Sequence, residues 1–311
     1  MKVIFLGTPS FSQVVLDRIY NSRHEVVCVV TQPDKVNGRN KKIIFSQVKD
    51  YALEKGIPVM QYQNISKEGE SYLRSLDADI MVTAAYGQIL RQNILDICPH
   101  GIINVHASLL PKYRGSSPVQ WALINGEKTV GVTIMQTEIG IDTGDIITAS
   151  SITLSGDENT DETLEKLSLV GSDAIIVALD AIEQGNAKFV SQDENLATHC
   201  KMLSKADGLI DFNQKNVDVV NFVRGVTPWP SAFCDSENGV LKFIKISACD
   251  YDGNEKPGTI LYASPKEGLV IACKLGAIVV EKIQGANAKV MDTKSYLLGK
   301  KLTVGGILSG K

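Results

Sequence analysis

Lys2-Val3-Ile4-Phe5-Leu6-Gly7 is an apolar run ending in glycine; an amphipathic stretch, Phe11–Tyr20, follows it, and then Glu25-Val26-Val27-Cys28-Val29-Val30-Thr31. Strand, helix of about ten residues and strand, in that order, is the unit that demands a right-handed crossover and a parallel sheet. Both runs are apolar at nearly every position, as in strands covered by helices on both faces. The rhythm continues with a helix at Ser46–Lys55, a strand at Ile57–Met60, a helix at Lys67–Ser75 and a strand at Asp79–Ala84. A short helix near Ile89–Leu95 leads to a strand at Gly101–Val105. Beyond Pro118 come a helix ending at Asn125-Gly126, strands at Thr129–Gln136 and Asp145–Leu154, and the longest helical pattern, Asn159–Glu183. The spacing predicts an α/β domain with a doubly wound, mostly parallel Rossmann-like sheet.

The composition then shifts. Gln192–Ala206 is polar and irregular and reads as a linker. From Gly208 onward there is one helical stretch, Val217–Val223, and otherwise short alternating strands. These are cut by Glu237-Asn238-Gly239, Asp252-Gly253-Asn254, Pro257-Gly258 and Lys274-Leu275-Gly276, the turn spacing of a small antiparallel β-barrel of the oligonucleotide-binding (OB-like) kind. The expected organisation is a first domain over 1–190, a linker over 191–206 and a second domain over 207–311.

Composition sets limits on function. At 311 residues, 44% hydrophobic and 22% charged, the chain is not mainly disordered. Its longest apolar stretches, such as Ala174–Leu179, fall far short of the ~20 residues a membrane helix needs. The opening run is too short for a secretory signal, so a soluble, cytoplasmic protein without membrane partners is expected. The cysteines, at 28, 98, 200, 234, 249 and 273, form no Cys-x-x-Cys pair, and the four histidines lack metal-ligand spacing. Reduced core thiols and no metal are expected. The net charge of −3 conceals an asymmetry: residues 1–204 carry −6 and residues 205–311 carry +3. A mildly basic second domain permits contact with a phosphate backbone, and a solvated lysine-rich surface accounts for it equally.

Ligands of open α/β sheets bind beyond the C-terminal ends of the strands, so each end was read for chemistry. Gly7-Thr8-Pro9-Ser10 lacks the Gly-x-Gly-x-x-Gly spacing of a dinucleotide site, which disfavours a nicotinamide dehydrogenase. Thr31-Gln32-Pro33-Asp34 opens a loop holding Lys35, Arg39, Lys41 and Lys42, either a solvated loop or a phosphate clamp. The most informative end is Asn104-Val105-His106-Ala107-Ser108-Leu109-Leu110-Pro111-Lys112-Tyr113-Arg114-Gly115. Asn104 and His106 are two apart and share a face, and adjacent polar side chains in an apolar strand are costly unless paired or put to use. The pair at a strand's end favours a site, and backbone groups around Leu109 and Leu110 could grip a planar ligand. In Glu138-Ile139-Gly140-Ile141-Asp142-Thr143-Gly144-Asp145, the flanking glycines either aim Asp142 inward or leave it capping its own backbone.

These residues carry a resemblance that covers nearly the whole chain in one order. Gly7-Thr8-Pro9, Thr31-Gln32-Pro33-Asp34, Gly38-Arg39 with Lys41-Lys42, Ala85-Tyr86-Gly87, Asn104 through Pro111, Tyr113-Arg114-Gly115, Gly131–Met135 and Gly140–Asp145 make up its first part. Lys201-Met202-Leu203-Ser204-Lys205 and Asn221 through Pro228-Trp229-Pro230 extend it. The chain resembles the methionyl-tRNA formyltransferase family, among the formyltetrahydrofolate-dependent formyltransferases. The resemblance implies a transferase of protein biosynthesis, acting in translation initiation, with 10-formyltetrahydrofolate as formyl donor and initiator methionyl-tRNA as acceptor. It implies catalytic roles for Asn104, His106 and Asp142, a folate pocket lined by Ser108, Leu109, Leu110 and Pro111, and tRNA contacts at Arg39, Lys41 and Lys42. No metal is implied, and a monomer is expected. Formyl transfer to a nucleotide sugar or a ribonucleotide amine is the nearest alternative. A non-catalytic RNA-binding protein would leave Asn104 and His106 without purpose.

Overall fold

The computed structural model describes residues 1–37 and 42–311. It divides into two compact units: residues 1–115, 129–153 and 164–200 in the first, and 116–128, 154–163 and 201–311 in the second.

The first unit is built on seven strands: β1 (Lys2–Gly7), β2 (Glu25–Thr31), β3 (Val59–Gln61), β4 (Ile80–Ala84), β5 (Ile102–His106), β6 (Thr129–Gln136) and β7 (Ile146–Thr153). They lie in the order β7-β6-β5-β4-β1-β2-β3. The strands from β5 through β3 are parallel, as the crossovers require. At the other edge β6 runs antiparallel to β5, and β7 runs antiparallel to β6 because residues 137–145 are too few for a crossover between them. Alternate residues face opposite sides, and both sides are covered. Ile4, Leu6, Cys28 and Val30 pack with Ile65, Leu73 and Ile94 from short helices on one face. Helix α1 (Ser10–Tyr20) lies against β1, β2 and β4, and α2 (Gln47–Glu54) lies against α1, β2 and β3. Gly171, in a later helix, approaches Val105 of β5 and Val132 of β6, where a methyl group would come within 3.0 Å of Val105. The predicted helix Lys67–Ser75 is replaced by two short helices, Ile65–Glu68 and Glu70–Ser75, meeting at Gly69. A side chain at Gly69 would press on Tyr62 and Ile65.

The chain runs from β1 outward to β2 and β3, then returns to the far side of β1 as β4. The sheet's topological switch point therefore lies between β1 and β4, where open α/β folds place ligands.

The second unit carries five antiparallel strands: β8 (Ala232–Ser236), β9 (Gly239–Cys249), β10 (Ile260–Ser264), β11 (Gly268–Ala272) and β12 (Ala277–Gln284). They lie in the order β8-β9-β12-β11-β10, with Met291–Asp292 added on β12. The expected barrel is not closed: among the described residues no ladder joins β8 to β10. Isolated bridges link Thr259 to Ile307 and Asp235 to Ser309 instead. The core gathers Leu241, Phe243 and Ile246 from β9 with Leu269, Ile271, Ile278 and Val280, and with Val219, Val223 and Val226 of helix α3 (Asn216–Val226). Helix Pro118–Ile124 also belongs to this unit, although the sequence alone places it in the first domain. It crosses α3 at Gly225, where a Cβ would stand 2.6 Å from Ile124.

Candidate functional site

Three strand ends meet at the switch point. Thr8 Oγ1 and Gln32 Nε2, beyond β1 and β2, both donate to the carbonyl of Tyr86 beyond β4, at 3.3 and 2.9 Å. Gln61 Nε2 donates to the Gln32 carbonyl and to Asp34 Oδ1, at 2.8 and 2.9 Å. The Lys49 ammonium, hydrogen-bonded to Asp34, holds that carboxyl below the usual carboxylate range. The Gly7-Thr8, Gln32-Pro33-Asp34 and Ala85-Tyr86-Gly87 motifs thus form one stitched edge.

Beside it, β5 presents Asn104 and His106. Thr83 Oγ1 of β4 donates to Asn104 Oδ1 at 2.8 Å, which fixes the amide and leaves its N–H groups to be offered elsewhere. His106 Nε2 stands 3.0 Å from the carbonyl of Tyr113. A carbonyl only accepts, so Nε2 carries a proton, and Nδ1 is the nitrogen turned toward the Asp142 carboxylate. Nδ1 faces Asp142 Oδ2 at 3.7 Å, longer than a hydrogen bond, with side-chain exposures of 6% for the histidine and 18% for the aspartate.

Asp142 lies between β6 and β7 with φ +53°, a left-handed conformation that costs a non-glycine residue about 1–2 kcal/mol. Its Oδ2 accepts from the Gly115 backbone N–H at 2.8 Å. Of the two sequence readings, inward aim and self-capping, this is the first. Two glycines make the meeting possible. Gly115 has φ +115°, and a Cβ there would lie 2.3 Å from the Cys200 carbonyl; one on Gly144 would lie 2.0 Å from the Gln136 carbonyl.

Ser108, Leu109, Leu110 and Pro111 follow His106 directly. Ser108 Oγ donates to the Lys112 carbonyl at 2.7 Å. Thr133 Oγ1 donates to the Ser108 carbonyl at 2.7 Å and accepts from the Leu110 N–H at 3.0 Å. The Leu109 side chain occupies space that Gly131 of β6 leaves open. These bonds set the loop's shape, and the Leu110 amide is already engaged within the chain. Of the basic residues, Arg39 and Lys41 lie outside the described residues. Lys42 opens a short strand, Lys42–Ile44, antiparallel to Lys35–Asn37. Among the described residues no cluster of His, Cys, Asp or Glu could hold a metal ion. No described helix is long and apolar enough to cross a membrane. Burial pushes the thiols of Cys28, Cys98, Cys234 and Cys273 up to about 12, so they stay protonated.

Several residues at the site escape a reading of motifs alone. Thr83 and the Tyr113 carbonyl orient Asn104 and His106. Arg114, 1% exposed, forks onto Glu194 at 3.0 and 2.8 Å and holds that carboxyl below its ordinary range. Arg114 Nε donates to Gln192 Oε1 at 3.0 Å, and Gln192 Nε2 donates to the carbonyls of Asp142 and Gly144 at 2.9 and 2.8 Å. Thr83 and Arg114 sit in stretches already marked by strand pattern or motif. Gln192 lies in polar sequence without periodicity, which carries no such signal.

Comparison with known proteins agrees across the chain. Residues 1–179 match the family model described as formyl transferase, and residues 202–301 match that of the formyl transferase C-terminal domain. A methionyl-tRNA formyltransferase of Acetivibrio thermocellus is 41% identical over 99% of this chain and 99% of its own length. One of Agathobacter rectalis is 42% identical over 96% of each. Among solved structures, an N-formyltransferase from Helicobacter canadensis, in complex with folinic acid and dTDP-3-aminofucose, matches with a TM-score of 0.68 at 19% identity, covering 90% of this chain and 98% of that one. The sugar 3N-formyl transferase WlaRD, solved in the presence of dTDP and 5-N-formyl-THF, gives 0.67 at 17%, over 93% and 99%. At such identity these two establish a shared fold. The full-length relatives and the two matched halves establish more: the chain belongs to the formyl transferase family, with the methionyl-tRNA formyltransferases as relatives along its whole length.

Proposed function

We infer that this chain transfers the formyl group of 10-formyltetrahydrofolate to the α-amino group of initiator methionyl-tRNA. Full-length identity of about 40% to methionyl-tRNA formyltransferases carries the reading, and the Asn104, His106 and Asp142 arrangement supplies suitable chemistry. The uncharged amine attacks the formyl carbon, and negative charge develops on the formyl oxygen. Collapse of the tetrahedral intermediate breaks the bond to the folate nitrogen, which takes up a proton as the amine loses one. Asn104, its Oδ1 occupied by Thr83, directs an N–H at the developing oxyanion. His106 has Nε2–H held by Tyr113, so Nδ1 is the nitrogen that serves; protonated, it is a second donor to that oxygen. Asp142 balances the imidazolium and accepts the amine proton through water.

Ser108–Pro111 form the folate-facing loop in this reading, while Arg39, Lys41 and Lys42 meet acceptor-stem phosphates. Residues 207–311 form the tRNA-binding domain; the bridges to Ile307 and Ser309 at opposite sheet edges support an OB-like, partly open barrel. The protein works as a cytoplasmic monomer and needs no metal. The test is a formylation assay with 10-formyltetrahydrofolate and three acceptors: methionyl-tRNA, free methionine and a dTDP-amino sugar. Methionyl-tRNA alone should be formylated. Preference for the amino sugar overturns the reading.

A further inference from the structure

The polar stretch after residue 189 is bonded, chiefly through its two ends, to the two loops that carry the site. Val190 and Ile146 exchange both backbone hydrogen bonds, at 2.8 and 2.9 Å, and Ser191 Oγ donates to Asp145 Oδ1 at 2.9 Å. Further along, the Thr198 N–H donates to the Pro111 carbonyl, the Arg114 N–H to the Thr198 carbonyl, and the Tyr113 N–H to Thr198 Oγ1. His199–Cys200 pairs in parallel with Arg114–Gly115. One end of the stretch therefore grips the loop bearing Asp142. The other grips the loop whose Tyr113 carbonyl and Gly115 amide orient His106 and Asp142. Gln192 joins the two: its amide N–H groups hold the Asp142 and Gly144 carbonyls, and its carbonyl receives Arg114 Nε.

We propose that residues 190–200 form a strap belonging to the catalytic site, and that Gln192 is a positioning residue that keeps Asp142 facing His106. The inference rests on the catalytic roles assigned above. Asp142 is held in a left-handed conformation by groups outside its own turn, and its carboxylate stops 3.7 Å from Nδ1, so a small rotation of the loop changes what the imidazole meets. Gln192 supplies the only described side-chain amide that bonds the Asp142 carbonyl. Neither Gln192 nor the strap need touch substrate for this.

Gln192→Glu is the informative variant. It keeps an acceptor for Arg114 but has no N–H for the two carbonyls; Gln192→Met, of similar length, removes both functions. With methionyl-tRNA and 10-formyltetrahydrofolate, each should lower kcat on the order of 10–100-fold, with little change in KM for the folate. In an Asp142→Ala background, Gln192→Glu should cost nothing further, because it acts through the group already removed. A second readout does not depend on turnover. With four histidines in the chain, the ring resonances of His106 can be assigned by NMR. They should move in Gln192→Glu toward their positions in Asp142→Asn. Rate losses that multiply with Asp142→Ala overturn the proposal. So do wild-type kcat and wild-type His106 resonances in both Gln192 variants. If the wild-type protein forms no formyl-methionyl-tRNA, the functional reading fails, while the His106 resonances still decide whether Gln192 sets the geometry of Asp142.

Discussion

Among the described residues of the first unit two histidine–aspartate pairs stand out, at opposite ends of one sheet. His106 closes β5, whereas His24 immediately precedes β2. His24 is the more completely bonded of the two: Nε2 lies 3.1 Å from Asp180 Oδ1 and Nδ1 lies 3.3 Å from the amino group of Met1. Asp180 also pairs with Arg23 at 2.7 Å, and Arg23 pairs with Glu183 at 2.6 Å. That cluster is saturated. Around His106, by contrast, the carboxylate stands off at 3.7 Å and the Asn104 amide has its oxygen fixed and its N–H groups to give. Paired histidine and aspartate therefore do not by themselves make a site. Position at the C-terminal ends of parallel strands, with donor capacity left over, separates the pair to which we assign a catalytic role from the structural one.

The sharpest way to break this contrast is to remove the aspartates one at a time. Asn104→Ala should lower the single-turnover formylation rate by ~10²–10³, as for loss of an oxyanion donor, and Asp142→Ala by ~10²–10⁴, as for loss of a positioned base, with the protein folded in both. Asp180→Ala should leave that rate unchanged and instead reduce stability by about 1 kcal/mol, seen as a lower thermal midpoint. Equal rate losses from Asp142→Ala and Asp180→Ala would erase the distinction.

A smaller effect concerns a third kind of residue, the basic loop after β2. If Arg39, Lys41 and Lys42 meet phosphates, raising salt from 50 to 200 mM should weaken tRNA binding on the order of 10-fold or more. Replacing all three with Glu should weaken tRNA binding and leave folate binding intact. Equal loss of both ligands would point to misfolding.

The smallest effect is the pH dependence at the structural pair. Burial pushes the His24 imidazole below its ordinary 6.5, and the bonds made by Asp180 and Glu183 hold those carboxyls below theirs. In each case the unfolded chain binds protons more readily than the folded one, so the stabilisation is complete above the unfolded values and is lost on acidification. The thermal midpoint should fall first as the pH drops below ~6.5 and again through the carboxylate range near ~4. His24→Gln should remove the upper part of that fall.

Much of this was legible from residue order. β1, β2 and β6 lie on the residues that their apolar runs mark, and the others differ by one or two positions at their ends. An apolar strand buried on both faces leaves a continuous signal. Asn104 and His106 were legible for the same reason, as polar interruptions of such a run. The inward aim of Asp142 was not, because it depends on an amide at Gly115 and on the Gln136 carbonyl approaching Gly144, contacts that no local spacing encodes. Residue order does not show that the Pro118–Ile124 helix belongs to the second unit, for a related reason. Its amphipathic pattern says that one side is buried, but not that Gly225 makes the partner surface. The second sheet was read correctly as antiparallel from its alternating strands and turns, whereas closure into a barrel depends on edge pairing between distant segments. Gln192 was hidden altogether in sequence that reads as a tether.

That stretch changes where the first half of the protein can be cut. A fragment ending at residue 190 would retain every strand of the parallel sheet together with Asn104, His106 and Asp142, yet it would lack Thr198, Gln192 and the pairing with Arg114–Gly115. Anyone trimming the molecule should leave Cys200 on, because on the strap proposal an unremarkable tail is the buckle that keeps Asp142 in register with His106.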